Sequence, residues 1–168
     1  MLTIRAAVAA DVPAITAIYN EAIATTTATF DTEPKSEADR VAWLAHHGAR
    51  YPVWVADLDG AVVGWASLSP FAERAAYDDT CENSFYVLAA KQGLGIGRQL
   101  LAESLDAARR IGFHTVVSRI AGESAVSEHL HERFGFRIAG TLKEVGLKFG
   151  RRLDVHLMQL MLKAGGDT

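Results

Sequence analysis

Three glycines alternate in Gln92-Gly93-Leu94-Gly95-Ile96-Gly97-Arg98, directly after the strand-like run Ser84-Phe85-Tyr86-Val87-Leu88 and before a helical run that starts near Arg98. The middle of the chain is therefore committed to a strand, a tight turn without bulky side chains, and a helix. Such a turn leaves backbone N–H groups uncovered at the positive end of a helix dipole. It is a ready site for a phosphate or pyrophosphate.

Elements on either side extend this frame. Leu2-Thr3-Ile4-Arg5 alternates as a strand. Asp11 and Pro13 open a helix with Ile15, Ile18, Tyr19 and Ala22 at helical spacing. The run Ser36-Glu37-Ala38-Asp39 has the form of a capping box, predicting a second helix that packs through Val41, Trp43 and Leu44 and ends near Gly48. Val53–Ala56 and Val62–Ala66 read as strands joined across Asp59-Gly60, a hairpin turn signal. After the glycine turn, Leu100, Leu101, Leu105, Ala108 and Ile111 mark one helix face that Gly112 stops. His114–Ile120 reads as a strand, Ser124 caps a helix closed by Gly135, and residues 136–145 and 154–162 form a last strand pair around Phe149-Gly150. The order β-α-α-β-β-β-α-β-α-β-β alternates too little for a doubly wound parallel sheet. It predicts an α/β (α+β) chain with a mixed central sheet of about seven strands and helices on both faces.

Composition narrows the function classes. A chain of 168 residues, 49% hydrophobic and 22% charged, is expected to form one domain over residues 1–163, with residues 164–168 as a frayed tail. A net charge of −3 without like-charge blocks argues against a nucleic-acid footprint. No secretory leader or apolar span is evident, so a cytoplasmic location without membrane contact is expected. Cys81, as the single cysteine, excludes an internal disulfide and a multi-cysteine zinc site.

The glycine pattern leaves several readings. A dinucleotide site wants Gly-x-Gly-x-x-Gly in the first βα unit and an acid about twenty positions on. Here the pattern is mid-chain, and the next strand carries Ser118-Arg119 without an acid. A P-loop is excluded, because Gly97-Arg98-Gln99 lacks its Lys-Ser or Lys-Thr. A glycine-rich turn without any ligand stays open on this pattern alone.

Gln-x-x-Gly-x-Gly between strand and amphipathic helix resembles the acetyl-CoA pyrophosphate loop of the GNAT N-acetyltransferase superfamily. Ile4-Arg5-Ala6-Ala7 with Asp11 and Ile15 resembles its opening strand and helix, and Leu130-His131-Glu132-Arg133-Phe134-Gly135-Phe136 its closing helix and turn. Within the superfamily the chain is most similar to the phosphinothricin and methionine sulfoximine N-acetyltransferases. That resemblance rests on Thr29-Phe30-Asp31-Thr32-Glu33-Pro34, on Arg74 with Tyr77 and Thr80, and on Glu82-Asn83-Ser84-Phe85-Tyr86-Val87. It continues through Gly140-Thr141-Leu142 and Val145-Gly146-Leu147-Lys148-Phe149-Gly150 with Asp154.

The resemblance implies a GNAT fold and transfer of acetyl from acetyl-CoA to the amine of a small amino-acid-like acceptor, such as phosphinothricin, methionine sulfoximine or methionine sulfone. It implies no metal, and it implies a homodimer. The rival readings are a GNAT enzyme for a peptide N-terminus or polyamine, and a non-catalytic acyl-CoA sensor. Acetyl transfer needs a neutral amine, a polarised thioester carbonyl and a proton for the departing thiolate. Glu82 is the candidate base. His131 is its candidate partner as acid or base, where many superfamily members carry tyrosine. Coenzyme contacts are expected from Phe85, Tyr86 and Val87, from Gln92, Gly93, Leu94, Gly95, Ile96, Gly97 and Arg98, and from Ser124 and Arg133. Arg74 suits a carboxylate-bearing acceptor, Phe30 and Tyr77 form its wall, and Asn83 and Ser84 complete the acceptor set.

The chain departs from the family pattern at three places. Ser124 stands where asparagine is usual, Arg152 where the branch has tryptophan, and Asn83 where histidine is frequent.

Overall fold

The computed structural model describes residues 1–162, so the expected frayed tail at 164–168 lies outside the described residues. The strands are β1 (Leu2–Ala6), β2 (Val53–Leu58), β3 (Ala61–Pro70), β4 (Thr80–Val87), β5 (Thr115–Ala121), β6 (Arg137–Lys148) and β7 (Arg151–Met161). The helices are α1 (Val12–Thr25), α2 (Glu37–Ala45), α3 (Ile96–Ile111) and α4 (Ala125–Arg133). All seven strands form one sheet in the order β1-β2-β3-β4-β5-β7-β6. β4 and β5 are its parallel pair; every other neighbouring pair is antiparallel.

The turns follow their residues. Asp59 and Gly60 both adopt positive φ, as a two-residue hairpin turn requires, and Phe149-Gly150 repeats the device between β6 and β7. Ser36 Oγ accepts from the Asp39 N–H while the Asp39 carboxylate accepts from the Ser36 N–H, which completes the expected capping box.

Two cores form on the two sheet faces. α3 buries Leu100, Leu101, Leu105 and Ala108 completely against Ala66, Leu68, Cys81 and Val116. Each such leucine contributes about 2 kcal/mol by removal from water. On the other face α1 packs Ile15, Ile18, Tyr19 and Ile23 against Val55 and Trp65.

Several expectations are corrected. Asp11 precedes α1 but does not cap it, because its carboxylate accepts from both Arg5 terminal nitrogens and from the Val8 N–H. On α2, Val41 faces solvent. The buried residue is Arg40, whose guanidinium lies 3.7 Å from the Trp43 ring centroid. Its alkyl stem and flat cation cover aromatic surface, a role that periodicity in apolar residues does not register. α2 ends at Ala45 rather than at Gly48, and α3 begins at Ile96, two residues earlier than expected.

Candidate active site

β4 and β5 are paired only where Thr80–Glu82 meets Thr115–Val117. From Asn83 onward the β4 edge facing β5 has no strand partner, while its other edge stays bonded to β3 as far as Val87. The parallel pair therefore opens like a split, with unpaired backbone along one wall. Unpaired strand N–H and C=O groups of this kind are a template for an amide-bearing chain.

A groove of about 460 Å³ runs from this split to the glycine turn. Phe85, Tyr86, Val87, Gln92, Gly93, Gly95, Ile96, Gly97 and Arg98 line one side; Ser124, Leu130 and Arg133 line the other. Gly93 and Gly95 adopt φ of +79° and +77°, and nothing lies within 4 Å of a Cβ built on either. The cradle is open and uncovered, as a diphosphate site needs. Gly97 serves differently: a Cβ there would stand 3.1 Å from Phe85 Cε2, so the helix start approaches β4 too closely for a side chain. Ile96 is buried in the core and can offer only its backbone. Leu94 points to solvent, outside the groove lining.

Strand alternation divides the other candidates. Glu82, Ser84 and Tyr86 lie on the α1 face, where Tyr86 packs against Trp65 and Tyr19 with centroids 4.9 and 5.1 Å apart. Asn83 and Phe85 lie on the α3 face. The expected acceptor residue Asn83 is thus buried away from Glu82, accepting from Ser118 Oγ at 2.8 Å. His131 is also on this side, stacked on Phe85. Glu82 and His131 therefore flank the sheet from opposite faces and can meet only through the split.

Each has a distinct electrostatic setting. Glu82 is largely buried, which pushes its carboxyl up, and Arg119 Nη1 at 3.0 Å from its Oε2 pulls it back. His131 is buried, which pushes its imidazole down. Its Nδ1 donates to the Ser127 carbonyl at 2.8 Å, and its Nε2 is buried without a partner among the described residues. That bond fixes the neutral tautomer with a free lone pair on Nε2.

Arg74 and Tyr77 lie exposed on the loop before β4; Tyr77 meets Phe71 edge to face at 5.4 Å. Phe30 comes from the loop after α1 and packs over Gly146 of β6, where any Cβ would overlap its ring. Beside it Lys148, itself buried, donates to the Thr29 carbonyl at 2.7 Å. Lys148, Phe71 and Arg119 were not among the sequence candidates. Arg119 left a trace there as a charge within the apolar run of β5, and Lys148 only as part of the run 145–150 that carries the family resemblance. Ser124 sits at the N-cap of α4 but makes no capping bond, leaving its hydroxyl free toward the groove.

The remaining titratable groups carry structure. Cys81 is fully buried and its thiol is pushed up to about 12. His156 Nδ1 lies 2.9 Å from Glu128, and His47 packs against Trp43 with centroids 4.4 Å apart and planes inclined by 52°. Among the described residues no cluster of three metal-ligating side chains occurs, and no helix is long and apolar enough to cross a membrane.

Known proteins share this fold and much of this sequence. The model of the acetyltransferase (GNAT) family matches residues 15–136. An L-methionine sulfoximine/L-methionine sulfone acetyltransferase of Salmonella typhimurium is 41% identical over 162 residues, covering 96% of this chain and 95% of the relative. An acetyltransferase from the same organism, solved with its cofactor acetyl-CoA, superposes with TM-score 0.93 at 40% identity, covering 99% of this chain and 96% of that one. A phosphinothricin acetyltransferase from Sinorhizobium meliloti, in complex with acetyl-CoA, gives TM-score 0.91 at 39% identity, with coverage of 98% and 90%.

Proposed function

The chain belongs to the acetyltransferase (GNAT) family, and on that premise we propose that it acetylates the amino group of a small amino-acid-like acceptor. Methionine sulfone, methionine sulfoximine and phosphinothricin are the acceptor type, as in the names of its relatives. The observation that carries this reading is the split beside Glu82, continuous with a glycine turn whose cradle stands open.

Acetyl-CoA supplies the activated acetyl group as a thioester. The open β4 edge at Phe85–Val87 binds the pantetheine amides, and the turn from Gly93 to Arg98 binds the diphosphate. Ser124 and Arg133 approach from α4. Glu82 takes the proton from the acceptor ammonium, directly or through water, so that a neutral amine attacks the carbonyl. As the N–C bond forms and the C–S bond breaks, the second proton of the attacking nitrogen passes to the departing CoA sulfur. The Nε2 lone pair of His131 is an acceptor in the resting protein, so this imidazole relays that proton by first receiving it there. Arg74 and Tyr77, with Phe30 opposite, receive the acceptor's anionic end and its side chain.

A cytoplasmic homodimer is part of the same reading. Support for self-association comes from β6, an edge strand that exposes Leu142, Val145 and Leu147.

Thiol release from acetyl-CoA, followed with methionine sulfone, phosphinothricin, a polyamine and a peptide amine, tests the proposal. Fast turnover confined to the amino-acid analogues is expected; uniformly slow turnover indicates an acyl-CoA sensor instead. Glu82→Gln is expected to lose roughly 10²–10⁴-fold in kcat with acetyl-CoA binding retained. Undiminished turnover removes Glu82 as the base.

A further inference from the structure

We infer that Arg119 is a positioning residue for Glu82, its guanidinium holding the carboxylate at the mouth of the split on the acceptor side. This rests on the reading of Glu82 as base and extends it to a residue on the neighbouring strand.

β5 is buried at every position except Arg119. A single cation in a strand otherwise taken up by the core reflects a local requirement. Its Nη1 stands 3.0 Å from Glu82 Oε2; the Arg119 side chain is half exposed, and that of Glu82 only 17%. Pairing between β4 and β5 ends at Glu82 and Val117, so Arg119 projects from the first stretch of β5 that β4 no longer covers. The same guanidinium lies 5.9 Å from the Phe71 ring centroid, and Phe71 in turn meets Tyr77. One side chain thus connects the base with the loop that carries Arg74 and Tyr77.

The surroundings of Glu82 give this contact its weight. Its register partners are Ser69 on β3 and Val117 on β5, and Ser84 shares its face of β4. None of these is charged. The loop entering β4 carries Arg74 and Tyr77, both exposed, and the one charge on α1, Glu21, accepts from the Ala89 N–H. Burial disfavours the carboxylate, and Arg119 is the charge that counters it. A base must be ionised to accept a proton. Without Arg119, more of the enzyme holds Glu82 protonated at mildly acidic pH, and the carboxylate loses its anchor.

The experiment is the pH profile of kcat/KM for wild type, Arg119→Met and Arg119→Lys with methionine sulfone as acceptor. KM for acetyl-CoA is measured alongside as a check on folding. Arg119→Met is expected to move the acid limb to higher pH, with a loss of about tenfold at the acid end, and to leave KM for acetyl-CoA unchanged. Arg119→Lys, which keeps the charge, is expected to restore most of the limb. An acid limb unmoved in both variants, while Glu82→Gln abolishes turnover, overturns this inference and leaves the base assignment standing. If Glu82→Gln turns over normally, the base assignment fails first and the inference falls with it.

Discussion

The imidazole of His131 lies nearly parallel to the ring of Phe85, with centroids 5.6 Å apart and planes 23° from parallel. This stack ties α4 to the strand that forms one wall of the split, and a Cβ at Gly97, at the start of α3, would stand 3.1 Å from the same phenyl ring. Glycine turn, strand edge and candidate proton-transfer residue are thereby gathered around one phenyl ring. Phe136 meets His131 edge-on, with centroids 5.0 Å apart.

That enclosure makes His131 costly to protonate. Burial lowers its folded-state pKa below the ordinary 6.5, so the unfolded chain binds more protons in the window below that value. Wild-type stability is therefore expected to fall as pH drops below about 6.5. His131→Phe should flatten this dependence; part of the slope remains because His47 is shifted in the same direction. Urea midpoints measured across this range check the point, and parallel curves for the two proteins count against it.

Phe30 and Gly146 make a second close pair, one on the loop after α1 and the other on β6. A methyl group on Gly146 overlaps the phenyl ring and forces it off the strand, while Lys148 still holds the backbone at Thr29. Gly146→Ala is expected to raise KM for the acceptor about tenfold or more, the cost of about 1.4 kcal/mol or more from overpacking. KM for acetyl-CoA should stay within twofold or so, since its groove lies elsewhere. Steady-state kinetics with each substrate varied in turn separates the two effects.

Ser124 offers a gain rather than a loss. Its hydroxyl makes no capping bond and borders the groove, and an asparagine there would reach further into it. Ser124→Asn is expected to lower KM for acetyl-CoA by up to about fivefold, the effect of one net hydrogen bond near 1 kcal/mol. Calorimetric titration with acetyl-CoA measures it directly. An unchanged or weaker affinity argues that this side chain does not reach the coenzyme.

The last strand pair runs closer to Phe149-Gly150 than the expected bounds of 145 and 154, whereas the element order, the two-residue turn at Asp59-Gly60, the capping box at Ser36 and the glycine turn were all legible in the residues themselves. Each depends on groups within a few covalent neighbours, and φ preferences, capping bonds and apolar periodicity act at that range. Asp11 shows where that range ends: its carboxylate turned from its own helix to Arg5, a partner outside it. The tertiary structure alone decided that Glu82 and His131 stand on opposite faces of the sheet and that Asn83 is hydrogen-bonded to Ser118. It also decided that Arg119 meets Glu82 and that Lys148 pins the Thr29 loop. Those outcomes follow from where β4 and β5 stop pairing and how β6 crosses the loop after α1. Strand register and side-chain packing between segments tens of residues apart fix them, and no local pattern encodes which ionisable groups will be brought within hydrogen-bond distance.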